Sequence, residues 1–226
     1  MSNITTNSKY LAITILIGGK STRFGSDKGL FPLFGKPLIS HQLDTLSQLK
    51  YDIFLVAHSK KQVQYYINKI NIKKIMAFII DDKNISIKIE GTTPLIGMYS
   101  AFKELYKLGY AKSLVLPCDL PLIQKKIIEL LITQSEKFEC CIPQWENGLL
   151  EPLFAIYPIE KALNSSEYNL RHKNYKLVNL IDKSWNINYI SIEKLIKPLD
   201  KNLLSFININ SQENLKIIHK KIKKKD

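Results

Sequence analysis

Hydrophobic residues in this chain gather into short runs and into periodic stretches that take turns along the sequence. Four runs rich in Ile, Val, Leu and Phe, at Tyr10–Ile17, Ile53–Ala57, Met76–Ile80 and Ser113–Leu116, are each bounded by turn-forming or charged residues. Runs of this length with little polar alternation predict strands covered on both faces, as in a parallel sheet. Between them apolar residues fall at helical spacing: Ile39, Leu43 and Leu46 within Leu38–Leu49, Val63, Ile67 and Ile70 within Gln62–Ile70, and Met98, Phe102 and Leu105 within Leu95–Leu108. Further on, Leu122–Gln134 predicts a helix. Cys140–Pro143 and Leu153–Tyr157 predict strands joined through a turn at Trp145–Gly148, where Asn147-Gly148 suits positive φ angles. Ser205–Asn210 reads as a late strand, and Ser211 as the N-cap of a last helix running to about Lys223. The alternation predicts an α/β fold, a mostly parallel sheet with helices on both faces, and such sheets bind ligands at the carboxyl ends of their strands.

Length and composition bound this picture without redirecting it. The 226 residues, 45% of them hydrophobic, suffice for one core. The parse is a polar N-terminal arm over 1–9, a domain over 10–215 and the basic end of a C-terminal helix over 216–226. Cys118, Cys140 and Cys141 form no C-x-x-C pair, and His41, His58, His172 and His219 show no zinc spacing, so a reduced, cytoplasmic compartment is expected. The run Tyr10–Ile17 is too short to span a bilayer and has no basic leader before it, so neither a membrane partner nor a signal peptide is expected.

Charge does change the picture, because 33 Lys+Arg against 20 Asp+Glu gives a net +13. Such a balance suggests polyanionic partners. Lys216–Asp226 holds six lysines and one aspartate, hence +5 of the total, leaving +8 over the body. Only Arg23 and Arg171 are arginines, and no aromatic residues interleave with the basic ones as on a nucleic-acid surface. A solvated helix end is therefore expected in place of a nucleic-acid tail. A binding module carried by that tail would instead show steeply salt-dependent oligonucleotide binding, lost on deleting Lys216–Asp226.

The charges that matter sit where the first strand ends. Gly18-Gly19-Lys20-Ser21-Thr22-Arg23-Phe24-Gly25-Ser26-Asp27-Lys28-Gly29 combines glycines, which let backbone N–H groups approach phosphate oxygens, with Arg23 as a fork and Lys28 as a point charge. It is neither a Walker A loop nor a dinucleotide fingerprint, and a glycine-rich surface loop is the plainer alternative. At the end of the Ser113–Leu116 strand, Pro117-Cys118-Asp119-Leu120-Pro121 places a carboxylate between prolines, suited to a hard cation such as Mg²⁺ or, more plainly, to capping the next helix. Cys118 reads as a packing residue. Thr93-Pro94 reads as a proline-gated helix start, and Asn208 and Asn210 share one side of an extended segment, open to a ligand role or to plain backbone satisfaction.

Taken together these segments resemble the MobA-like nucleotidyltransferases, nearly end to end. The opening pattern is met by Leu16-Ile17-Gly18-Gly19-Lys20-Ser21-Thr22-Arg23-Phe24-Gly25-Ser26-Asp27-Lys28, Leu30-Phe31-Pro32 and Gly35-Lys36-Pro37-Leu38-Ile39. Pro117–Pro121, Pro152–Tyr157 and Asn208–Leu215 match the later motifs in order. Ile17 stands where alanine is usual, Thr93 where glycine is, and Lys83–Thr92 is longer than typical. The resemblance implies a Rossmann-like nucleotidyltransferase fold, Mg²⁺, GTP as donor and molybdopterin as acceptor, with acceptor molybdoenzymes as possible downstream partners. It implies that Leu16, Ile17, Gly18 and Gly19 line the nucleotide, that Arg23 and Lys28 contact its phosphates, that Asp119 holds the metal, and that Asp82, in preference to Asp81, lies near the nucleotide. The alternative within the same fold is a transferase using CTP, or one acting on a sugar or polyol phosphate. The Gly18-Gly19 pair resembles the guanylyl members more than the cytidylyl ones.

Overall fold

The computed structural model describes residues 9–18, 27–82, 84 and 93–209. Its elements are β1 (Lys9–Leu16), β2 (Pro32–Leu33), β3 (Lys36–Pro37), α1 (Leu38–Leu46), β4 (Asp52–Ala57), α2 (Lys60–Ile67), β5 (Ala77–Ile80), α3 (Pro94–Lys107), β6 (Tyr110–Pro117), α4 (Lys125–Ser135), β7 (Cys140–Gln144), β8 (Ala155–Pro158), α5 (Ile159–Arg171) and β9 (Ile187–Ser191). Seven strands form one sheet in the order β5-β4-β1-β6-β8-β7-β9, and β2 and β3 make a separate small hairpin. All pairings in the large sheet are parallel except those of β8 with β6 and β7. The expected mostly parallel α/β sheet is what forms.

Side-chain alternation along β1 builds the core on both faces. Leu11, Ile13, Ile15 and Ile17 point to the side covered by α1, α2 and α4, where they meet Ile39, Leu43, Tyr66, Ile127 and Leu131. Ala12 and Leu16 point to the side of α3 and α5, against Leu95, Met98, Phe102 and Ile159. Thr14 is buried on that second face, and its hydroxyl is satisfied by Ser113 Oγ at 2.8 Å. β1 is thus hydrophobic throughout because a central parallel strand has no wet face.

The chain order around β1 fixes where a ligand sits. From β1 the chain moves outward through β4 to β5, then crosses to the opposite side of β1 as β6. The carboxyl ends of β1 and β6 therefore diverge in their connections at one point, with Leu16 paired to Pro117. A crevice opens at such a switch point because the chain leaving the two neighbouring strands runs off in opposite directions along the sheet.

Several expectations need correction. The helix expected over Leu122–Gln134 begins only at Lys125. The expected strand Ser205–Asn210 is in its described part a tight turn at Leu204–Phe206, followed by non-strand chain to Ile209. The Asp200 carboxylate accepts the Leu204 and Ser205 N–H groups at 3.0 and 2.8 Å, which holds the turn against the β propensity of its residues. α5 and β9 were not foreseen: the inner face of α5 buries Ser166 and Asn169 beside Ile159, Ala162 and Leu170, so few of its core positions are large apolar residues. At Trp145–Gly148 only Gly148 has positive φ, at 85°, and its N–H donates to Trp145 O at 2.8 Å. Lys9 belongs to β1, not to the polar arm. The rest of that arm, Gly19, Arg23, most of Lys83–Thr92, Asn210 and the last helix with its basic end lie outside the described residues.

Candidate active site

The site is assembled by two loops leaving adjacent strands. β1 continues into Ile17 and Gly18, whose N–H groups both donate to Val56 O at 2.9 and 3.1 Å, so the chain peels from β1 toward β4. β6 continues into Cys118, whose N–H donates to Leu16 O at 3.2 Å, and then into Asp119. Leu16, Ile17, Gly18, Asp27, Lys28, Pro94, Pro117, Cys118, Asp119 and Leu153 wall one pocket.

Within it the Lys28 ammonium is ion-paired with Asp119 Oδ2. The other carboxylate oxygen, Asp119 Oδ1, is buried and has no hydrogen-bond partner among the described residues. A buried carboxylate oxygen left without a partner is costly, so it marks a place for a cationic or donor ligand. The helix-capping alternative for Asp119 does not hold: α4 starts downstream, and Gln124 N–H at its start is taken by Ser205 Oγ at 3.1 Å. Asp119 is instead tied to the C-terminal chain, since its carbonyl accepts Ile209 N–H at 3.1 Å, which brings Asn208 to the wall of an adjoining pocket that Asp119 also lines.

A buried polar network lies under Lys28. Asp27 accepts hydrogen bonds from the Tyr66 hydroxyl and the Gln62 side-chain amide, both on α2, and caps the short helical turn Lys28–Leu30 through Gly29 N–H at 3.3 Å. Gln62 also donates to Ile17 O at 2.8 Å and accepts His58 N–H at 2.9 Å. One glutamine thus ties the end of β1, the end of β4 and Asp27 together. Tyr66 is fully buried, and burial, with Cys118 and Asp27 nearby, pushes its phenol well above the usual range, so it stays a donor to Asp27. The Cys118 thiol is likewise pushed up, by burial first and then by Asp119 and Asp27, which keeps it protonated and supports the packing reading. Gln62 and Tyr66 were missed from sequence, where they read as ordinary helix positions.

Gly29 is required by this packing. A β-carbon there would overlap the Tyr66 hydroxyl and come within 3.3 Å of the Cys118 β-carbon. Both neighbours are buried and the Tyr66 hydroxyl is bonded to Asp27, so Gly29→Ala should cost about 1–3 kcal/mol, read as a lower denaturation midpoint at unchanged m-value.

The acidic pair after β5 divides. Asp82 is ion-paired with Lys103 of α3 at 2.6 Å, its N–H donates to Ser100 Oγ at 2.8 Å, and Lys103 holds its carboxyl below the usual range. Asp81 Oδ1 instead lies 3.6 Å from where a β-carbon on Gly97 would sit, a spot also 3.4 Å from Leu16 Cδ2, so it faces the end of β1. Neither is a wall of the pocket around Lys28 and Asp119. Burial raises the Asp81 carboxyl from 3.8 to about 6, partly offset by His58. Asp81 thus favours folding below its unfolded pKa, and that contribution disappears as pH rises through about 6. Asp81→Asn should raise stability at pH 7–8 by about 1–2 kcal/mol, allowing for partial solvent screening, and leave it unchanged near pH 4. Thermal unfolding at the two pH values checks this.

Thr93 caps α3, its side chain accepting Leu95 N–H at 3.3 Å, with Pro94 in the first turn and on the pocket wall. Among the described residues no helix is long and apolar enough to cross a membrane.

A mostly parallel sheet that brings Lys28 and the half-satisfied Asp119 together at its switch point defines an open α/β protein with a ligand crevice at the strand ends. The chain belongs to the MobA-like NTP transferase domain family, which matches residues 13–183. A Pyrococcus horikoshii protein named "Probable molybdenum cofactor guanylyltransferase" is 36% identical over 214 residues, 92% of this chain and 98% of that one. A solved structure of the molybdopterin-guanine dinucleotide biosynthesis protein A from Archaeoglobus fulgidus is similar at a TM-score of 0.73 and 26% identity, covering 94% of this chain and 99% of that one. The 4-diphosphocytidyl-2C-methyl-D-erythritol synthase of Anaerococcus prevotii shares the fold at a TM-score of 0.68 and 14% identity, covering 98% and 100% of the two chains.

Proposed function

We propose that the protein transfers GMP from GTP to the terminal phosphate of molybdopterin, releasing pyrophosphate and forming the guanine dinucleotide cofactor. The observation that carries this reading is the meeting of Lys28 and the half-unsatisfied Asp119 at the switch point between β1 and β6. The names of relatives that align over nearly the whole chain support the choice of guanine and of molybdopterin.

In this reading the acceptor's phosphate oxygen attacks the α-phosphorus of GTP, the bond from that phosphorus to the bridging oxygen breaks, and the β and γ phosphates leave together. A phosphate monoester is already anionic, so no strong general base is needed, and the barrier is mainly charge repulsion and alignment. Leu16, Ile17, Gly18 and Gly19 would line the nucleotide, with Lys28 and Arg23 on its phosphates. Asp81 is the better placed of the two aspartates to face the nucleotide, because Asp82 is committed to Lys103.

A divalent cation, Mg²⁺ in this proposal, fits Asp119, since the buried Oδ1 is a hard donor without a partner among the described residues. Among those residues no group of three or more His, Cys, Asp or Glu side chains is placed to hold a metal, so substrate phosphates and water would complete the shell. When bound, the cation supplies positive charge to the phosphates. The compartment is read as the cytoplasm, where the three free, buried cysteines stay reduced, and molybdoenzymes would take up the product. Incubation with GTP, Mg²⁺ and molybdopterin should yield a product heavier than the acceptor by one guanylyl group, GMP less a water, on mass spectrometry. Unchanged acceptor would refute the reading.

A further inference from the structure

Beyond Asp119 lies a second pocket, which shares Pro117, Asp119 and Leu153 with the first but has none of Leu16, Gly18 or Lys28 on its walls. Its own walls include Glu151, Phe154, Phe206 and Asn208. The aromatic side is built by packing: Phe206 meets Phe154 edge-on at 4.9 Å and Trp145 at 5.8 Å. Glu151 is held on this wall at three points. Its Oε1 accepts the Trp145 indole N–H at 2.7 Å, its backbone N–H donates to Pro143 O at 3.1 Å, and its carbonyl accepts Phe154 N–H at 2.9 Å.

An ionised carboxylate offers about four acceptor sites, and the indole uses one. The chain carries 33 Lys+Arg, yet among the described residues none forms an ion pair with Glu151. A carboxylate fixed by an indole beside aromatic rings and left without a cation suits a planar heterocycle that presents two adjacent N–H donors. The 2-amino-4-oxo edge of a pterin does this, with N3–H and the 2-amino group pointing the same way.

We infer that Glu151, oriented by Trp145, reads the 2-amino-4-oxo edge of the acceptor's pterin in this second pocket. The inference rests on the proposed transfer to molybdopterin. Guanine carries the same edge, but the donor's phosphates belong with Gly18 and Lys28 in the first pocket. The second pocket reaches the reacting centre from the other side, through Asp119. Trp145 is then a positioning residue, acting on the ligand only through Glu151.

The test uses the full-length protein and two small probes, 6,7-dimethylpterin and 6,7-dimethyllumazine, which differ in having an amino or an oxo group at position 2. Binding is followed by the probes' fluorescence, GTP affinity is measured in parallel by equilibrium dialysis, and thermal melting reports folding. The wild type should prefer the pterin on the order of 10- to 100-fold, the scale of a charge-assisted hydrogen bond. Glu151→Gln, which turns an N–H₂ toward a donor, should remove most of that preference and leave GTP affinity unchanged. Trp145→Phe, which keeps the ring packing and frees the carboxylate, should reduce it by a smaller factor. Equal binding of both probes to the wild type, an unaltered preference in Glu151→Gln, or a loss of GTP affinity in its place would overturn the inference. A wild type that shows the preference but releases no pyrophosphate from GTP and molybdopterin would overturn the transfer reading and leave the pterin subsite standing.

Discussion

Asp119→Asn should lower kcat for guanylyl transfer by about 10²–10³-fold, the scale of losing one electrostatic partner of a transferring phosphoryl group. Asparagine keeps the shape of the side chain, and its amide oxygen still accepts from Lys28, so the loop between β6 and α4 stays in place. What is lost is the charge on a buried site whose Oδ1 has no other partner among the described residues. The Mg²⁺ concentration for half-maximal rate should therefore rise, while the melting temperature changes little, because the amide oxygen still accepts from Lys28 and the lysine side chain is 23% exposed and so stays partly hydrated. Pyrophosphate release measured across a Mg²⁺ titration checks both quantities. A variant with near wild-type rate at ordinary Mg²⁺ would take Asp119 out of the site.

Lys28→Ala should also lower kcat, by about 10²-fold, but with the opposite effect on the metal. In the wild type Lys28 occupies Asp119 Oδ2, so ammonium and cation compete for one carboxylate. Removing the lysine frees both oxygens, and half-saturation by Mg²⁺ should move to lower concentration even as the rate falls. The GTP KM should rise as well, since Lys28 walls the pocket that Gly18 opens. Steady-state kinetics with GTP and Mg²⁺ varied independently separates these effects. Parallel metal shifts in the two variants would mean that the ion pair does not govern the metal site.

How much of this was legible in the sequence depends on how local each signal is. β1, β4, β5 and β6 announce themselves as apolar runs because central parallel strands are buried on both faces. Asp119 and Lys28, which the structure brings together in one pocket, stand out in the sequence as well, the first by its flanking prolines at a strand end, the second by the glycine-rich stretch before it. The supports beneath them were not. Gln62 and Tyr66 lie 35 and 39 residues from Asp27, and nothing within α2 signals that its inner face holds a loop from the other side of α1. The turn after Leu203 was misread for the same reason: Phe206-Ile207 looks like strand, and only Asp200, bonded to two N–H groups downstream, overrides that propensity. Nor does anything local at Asp81-Asp82 signal that Lys103, one helix away, pairs with the second of them.

The network under Lys28 fixes the segment that follows the glycine-rich stretch of the sequence. The position of Asp27, next to Lys28, comes from Gln62 and Tyr66 on α2. Gly29 sits against Tyr66 and transmits that constraint to its neighbour Lys28.

The most direct measurement of the central claim is pyrophosphate release by the purified protein with Mg²⁺ and molybdopterin, comparing GTP, CTP, ATP and UTP. The account predicts release that requires both the pterin acceptor and Mg²⁺, is fastest with GTP by a wide margin, and is nearly abolished in Asp119→Asn. Release that is fastest with CTP, or that proceeds with a sugar or polyol phosphate and not with molybdopterin, would contradict it.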